Sequence, residues 1–170
     1  MRNREYKTIT ALPAISAGKK ILLTSVCFFF LLPLFSQPTE IQYLSGTGSD
    51  HTVDWQFYCT AGSNAGKWTT IAVPSCWELQ GFGKYDYGFA KDSIRGKEKG
   101  LYKYEFTVPS GWKEKQVNLV FEGVMTDAEV KVNGRAAGET HQGAFYAFRY
   151  DITSLLQYGR ENVLEVSVAK

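Results

Sequence analysis

The chain has 170 residues, 44% of them apolar and 21% charged, an ordinary globular composition with room for one domain once any leader is removed. Its formal charge of +2 is concentrated at the N-terminus, because residues 1–36 hold five basic residues and one acidic one, and their removal leaves −2. A slightly acidic remainder without a basic run lacks the electrostatic footprint of a nucleic-acid binder, and two histidines without a cysteine–histidine cluster disfavour a zinc site.

The leader comes first in chain order. Arg2, Arg4, Lys7, Lys19 and Lys20 precede the apolar run Ile21 to Phe35, and Ser36 offers a small residue for cleavage before Gln37. This spacing predicts a secretory signal peptide over 1–36 and export to the periplasm or the outside. The alternative is an uncleaved membrane anchor. The run is shorter than the roughly 18 residues of a membrane span and Pro33 interrupts it, so no stable span is expected. The exported part keeps Cys59 and Cys76, which a disulfide would suit in that compartment. Two free, buried thiols acting as small hydrophobes are the simpler reading.

Residues 37–50 read as a linker or lead-in segment, because Ser45-Gly46-Thr47-Gly48-Ser49-Asp50 has turn chemistry and no apolar period. The ordered domain is expected over 51–170. Val53, Trp55 and Phe57 alternate with Asp54, Gln56 and Tyr58, the period of a strand with one buried face. Trp68 to Val73 is a second strand. Ser75 to Gly100 then forms a long irregular excursion over the surface, and Tyr102, Tyr104, Phe106 and Val108 mark the clearest strand of the chain. Val117 to Phe121 and Ala128 to Val132 follow, and Asn133-Gly134 is a hairpin turn whose return strand is expected over Arg135 to Thr140. Phe145 to Tyr150 and Val163 to Val168 complete the strands, separated by a helical turn capped by Asp151. About eight short strands without intervening helices predict an all-β fold, an antiparallel β-sandwich of the jelly-roll kind.

Candidate chemistry is sparse. Glu78, Asp86, Asp92, Glu122 and Asp127 are carboxylates beside loops, but nothing in their spacing pairs two of them for acid/base work, and solvated positions explain them. Trp77, Phe82, Tyr85, Tyr87 and Phe89 make an aromatic-rich loop whose flat faces could stack on sugar rings, or could simply pack onto their own sheet. The candidate sugar-binding residues are therefore Trp77, Tyr85, Asp86 and Tyr87, with His141 in the polar loop Gly138 to Gly143. A hydrogen bond that holds its own turn is the plainer role for His141.

Between Trp68 and Lys170 the chain carries, in order, W-T-T-I-A-V-P-S-C-W-E, L-Y-K-Y-E-F-T-V-P-S-G-W, F-E-G-V, V-K-V-N-G, G-E-T-H-Q-G-A-F and Y-D-I-T-S-L-L. This succession resembles the N-terminal sugar-binding domain of glycoside hydrolase family 2, and P-S-C-W-E-L-Q-G-F-G is most similar to its β-galactosidase branch. The resemblance implies a jelly-roll sandwich, the fold that the strand count reaches independently. It also implies a full-length enzyme that hydrolyses β-glycosides with retention, using two glutamates on a later barrel. Such a barrel needs about 250 residues, and its carboxyls must stand about 5–5.5 Å apart. The expectation is a fragment, non-catalytic alone, whose partners are a β-glycoside and the downstream domains of the same enzyme, with no cofactor. The alternatives are a free-standing carbohydrate-binding module and a structural docking domain. In some family members a loop of this domain touches the sugar; the corresponding region, Gly81 to Ser93, does not match the asparagine-bearing loop of some β-galactosidases, so no role is carried over.

Overall fold

The computed structural model describes residues 38–84 and 97–169. The chain divides into two units, Met1–Ile41 and Gln42–Lys170. In the first, residues 38–41 are exposed and outside any strand. The predicted signal peptide lies outside the described residues.

The second unit is all-β. Its strands are β1 (Val53–Cys59), β2 (Trp68–Val73), β3 (Lys99–Thr107), β4 (Asn118–Phe121), β5 (Asp127–Val132), β6 (Arg135–Ala136), β7 (His141–Gln142), β8 (Phe148–Asp151) and β9 (Glu161–Ala169). Seven of them form one sheet in the order β2-β1-β3-β9-β5-β6, with β7 also paired to β5, and β4 pairs with β8 in a second sheet. Every pairing between strands is antiparallel.

Alternation decides which face is buried. Phe57, Tyr102, Val166 and Val130 lie side by side on the inner face of the large sheet, in register across β1, β3, β9 and β5. From the opposite layer Leu119, Phe121 and Tyr150 pack against the same core. Phe57 is fully buried and meets the rings of Phe82, Tyr102 and Trp77 at centroid distances of 5.1, 4.8 and 6.1 Å. Burying each such side chain contributes on the order of 1.5–3 kcal/mol. Trp55 stacks on Tyr104 at 4.9 Å and donates its indole N–H to the Leu44 carbonyl at 3.0 Å, which fastens part of the predicted lead-in segment to the sandwich.

Three local expectations change. The return strand after Asn133-Gly134 is split, with Arg135–Ala136 and His141–Gln142 pairing to β5 separately. Between them Gly138 lies under the Tyr150 ring, where a Cβ would come within 2.5 Å of the ring carbons, so the chain leaves the ladder to admit that ring. Phe145 and Tyr146 are not in a strand. They sit in a loop at 88% and 71% exposure, and β8 begins only at Phe148. The turn after β8 is a 3-10 turn, Thr153–Leu155, and Asp151 holds it by accepting from the Thr153 N–H at 3.0 Å and the Thr153 hydroxyl at 2.6 Å. Cys59 is buried and Cys76 half-buried, and no disulfide joins them.

Candidate sugar-binding end of the sandwich

Antiparallel register gathers several loops at one end of the molecule. β1 finishes there at Cys59, β3 begins at Lys99, β5 begins at Asp127 and β9 finishes at Ala169. The loops 60–67, 122–126 and 143–147 leave the sandwich at this end, as do both sides of the long excursion, Lys84 and Lys97. The described ends of the excursion, Lys84 and Lys97, and the His141 loop therefore share one end.

The neck of the excursion is held by one carboxylate. Glu98 accepts the Trp77 indole N–H at 3.3 Å and the Lys84 N–H at 3.1 Å, so it ties both sides of the segment together. Ser63 and Gly83 exchange backbone hydrogen bonds of 2.9 Å and fix the same neck to the β1–β2 loop. Tyr85, Asp86, Tyr87, Phe89 and Asp92 lie outside the described residues.

Trp77 is a correction to the stacking expectation. It is only 5% exposed, and its ring covers Gly100, where an added Cβ would come within 2.7–2.8 Å of Trp77 and Phe57. Glycine at that point opens the space the indole occupies. The residue closes the core beneath the loops, and no face is left for a sugar.

His141 is half-buried and stacked on Phe148, with centroids 3.7 Å apart and planes 10° apart, while Phe148 stacks on Phe121 at 4.8 Å and 9°. Its Nε2 lies 3.1 Å from the Gly143 carbonyl. The ring thus stiffens its own turn, and the Gly143 N–H closes it onto the Thr126 carbonyl at 2.8 Å. Beyond it Phe145 and Tyr146 project into solvent. Alternation assigned them to a strand, so their exposure at a loop tip was the feature the sequence hid.

Two other polar groups near this end or its core are structurally employed. Cys76 donates its thiol to Glu78 at 2.8 Å, and burial first, then that bond, pushes the thiol pKa up, which keeps it protonated and a poor nucleophile. Burial likewise raises the Tyr150 phenol, which donates to the Glu139 carbonyl at 2.6 Å. Asp127 lines a hollow on the outer face of the large sheet with Lys99, Glu129, Thr140, Ser167 and Ala169. Among the described residues no group of three or more His, Cys, Asp and Glu side chains could hold a metal ion. No helix among them is long and apolar enough to cross a membrane.

The family model of the glycosyl hydrolases family 2 sugar-binding domain matches residues 35–170, which spans most of the chain. The chain belongs to glycosyl hydrolase family 2. Over 111 residues it is 32% identical to a β-galactosidase of Psychromonas ingrahamii, a match covering 61% of this chain and 10% of that enzyme. Over 94 residues it is 37% identical to a β-glucuronidase of Bacteroides fragilis, covering 54% of this chain and 12% of the relative. The solved β-D-glucuronidase of Dictyoglomus thermophilum superposes with a TM-score of 0.52 at 26% identity, over 78% of this chain and 21% of that one. The family 2 relatives carry both enzyme names, β-galactosidase and β-glucuronidase. The matched part spans about a tenth of each curated relative, and the sandwich is the sugar-binding portion of a family 2 architecture.

Proposed function

We propose that this chain is a non-catalytic sugar-binding sandwich that serves a family 2 glycosidase, helping to present a β-glycoside to catalytic domains supplied elsewhere in the enzyme. The observation that carries the reading is the family match over 35–170 on a jelly-roll sandwich whose loops, with the exposed Phe145 and Tyr146, converge at one end. The acidic residues support it as well. Glu78, Glu98 and Asp151 accept structural hydrogen bonds. Glu129 stands 3.6 Å from the Lys99 ammonium with its side chain 52% exposed. Export, and cleavage after Ser36, belong to the same proposal and rest on the basic and apolar pattern of residues 1–36.

Turnover tests the non-catalytic role. Incubated with chromogenic β-galactoside, β-glucuronide and β-mannoside, the purified chain is expected to release no more chromophore than a heat-denatured sample. Reproducible hydrolysis of any of the three by the folded chain alone would overturn the reading.

A further inference from the structure

The outer face of the large sheet combines an exposed aromatic surface with a polar hollow. Strand register sets Trp68, Tyr58, Leu101, Ser167 and Glu129 side by side on that face, one each from β2, β1, β3, β9 and β5. At one end of this row Trp68 is 54% exposed, its ring 5.6 Å from that of Tyr58 and tilted by 50°. At the other lies the hollow, about 180 Å³, which adds Lys99, Asp127 and Thr140 to Glu129 and Ser167.

We infer that this row is a binding strip for a neutral oligosaccharide, with Trp68 under the flat face of one sugar ring and the hollow receiving the hydroxyls of another. It rests on the sugar-binding reading above but places the ligand on the outer sheet face, beside the loop end that Lys99, Asp127 and Ala169 mark, rather than on the loops themselves. Packing against Tyr58 alone would account for Trp68 if the row led nowhere, yet it runs through Leu101 directly into a cleft of hydrogen-bonding groups.

Size and chemistry choose the occupant. The hollow is below the roughly 300–1,000 Å³ of pockets that enclose drug-sized ligands, so it suits one ring of a chain rather than a whole cofactor. Three strand spacings separate β2 from β9, about 14 Å, a separation that a short oligosaccharide bridges and a monosaccharide does not. Carboxylates accept from hydroxyls, and the Ser167 and Thr140 hydroxyls can both donate and accept, as polyol recognition requires. Lys99 faces Glu129 at 3.6 Å and offsets it, which leaves Asp127 to make the hollow net negative. A uronate is therefore repelled and a neutral sugar is not.

Calorimetric titration of the full chain with cellotetraose, xylotetraose and galactotetraose, against trigalacturonate, tests the strip. At least one neutral tetraose is expected to bind saturably and trigalacturonate not to bind. Trp68→Ala and Asp127→Asn should each weaken that binding by about tenfold or more while the chain still unfolds in a single cooperative transition, since both side chains lie on the solvent face. Failure of all three tetraoses to bind would overturn the strip. So would binding that survives both substitutions; if it is instead lost on Phe145→Ala, the ligand belongs on the loop that carries Phe145 and the sugar-binding reading stands without the strip. Hydrolysis in the turnover assay bears on the non-catalytic proposal alone.

Discussion

Asn162 shows how one buried polar residue organises a whole end of the sandwich. It is fully buried, and its amide makes four hydrogen bonds: Oδ1 accepts from Asn133 Nδ2 at 2.8 Å and the Gln157 N–H at 2.7 Å, while Nδ2 donates to the Gln157 and Arg160 carbonyls at 3.0 Å each. Asn133 in turn donates to the Leu155 carbonyl and accepts from the Val163 N–H, both at 2.9 Å. This joins the β5–β6 hairpin, the 3-10 turn and the start of β9. Asn162→Ala leaves two donors and two acceptors without their partner, and each that stays buried and finds no new one costs about 1–3 kcal/mol. With partial relaxation the loss should come to about 2–4 kcal/mol by guanidinium denaturation, against about 0.5 kcal/mol or less for Glu161→Ala on the exposed neighbour. Equal small losses for both would show that the network is dispensable. Nothing in the sequence marks Asn162, because the link to Asn133 spans 29 residues and an asparagine beside a strand reads as a turn residue.

At the scale of the element, alternation made β1, β3, β5 and β9 legible, since each has one dry face and a strict period of two. It failed where that condition lapses. In β2 the run W-T-T-I-A-V has apolar residues at both parities, so period alone leaves open which face Trp68 occupies; the register with β1 sends it outward beside Tyr58. The segment Phe145 to Ala147 carries strand-like residues but belongs to a loop fastened by Gly143, whose φ of +131° few side chains adopt. Trp77 was hidden for a tertiary reason: its place over Gly100 depends on a glycine far along the chain. The turn after β8 yields a prediction of its own. Hydrogen bonds from the Thr153 hydroxyl, the Thr153 N–H and Gln116 hold the Asp151 carboxyl below its ordinary value. A carboxyl whose pKa is depressed by folding stabilises the native state above its unfolded pKa, and that contribution is lost as pH falls through the folded one. Between pH 7 and pH 3 the denaturation midpoint of Asp151→Asn should therefore fall less steeply than that of the parent chain. Parallel profiles would contradict the assignment.

For the whole molecule, the sandwich and its family were readable from the order of short motifs, each weak singly, spread over the segment from Trp68 onward. The site was less readable. Of the candidate residues, Trp77 is core and His141 braces its turn, while the residues of the proposed strip, Trp68, Asp127, Glu129 and Ser167, come together only through the pairing of five strands. Their sequence signal is merely that of outward positions on strands, shared with every solvated residue of a sheet. The central claim is that this chain binds a glycan without cleaving it, and one experiment reads both halves. A proton NMR time course of the full chain with a neutral tetraose, recorded with saturation transfer from the protein, is predicted to show transfer to the sugar protons and no growth of new reducing-end signals. Absent transfer, or the steady appearance of shorter sugars, would contradict it.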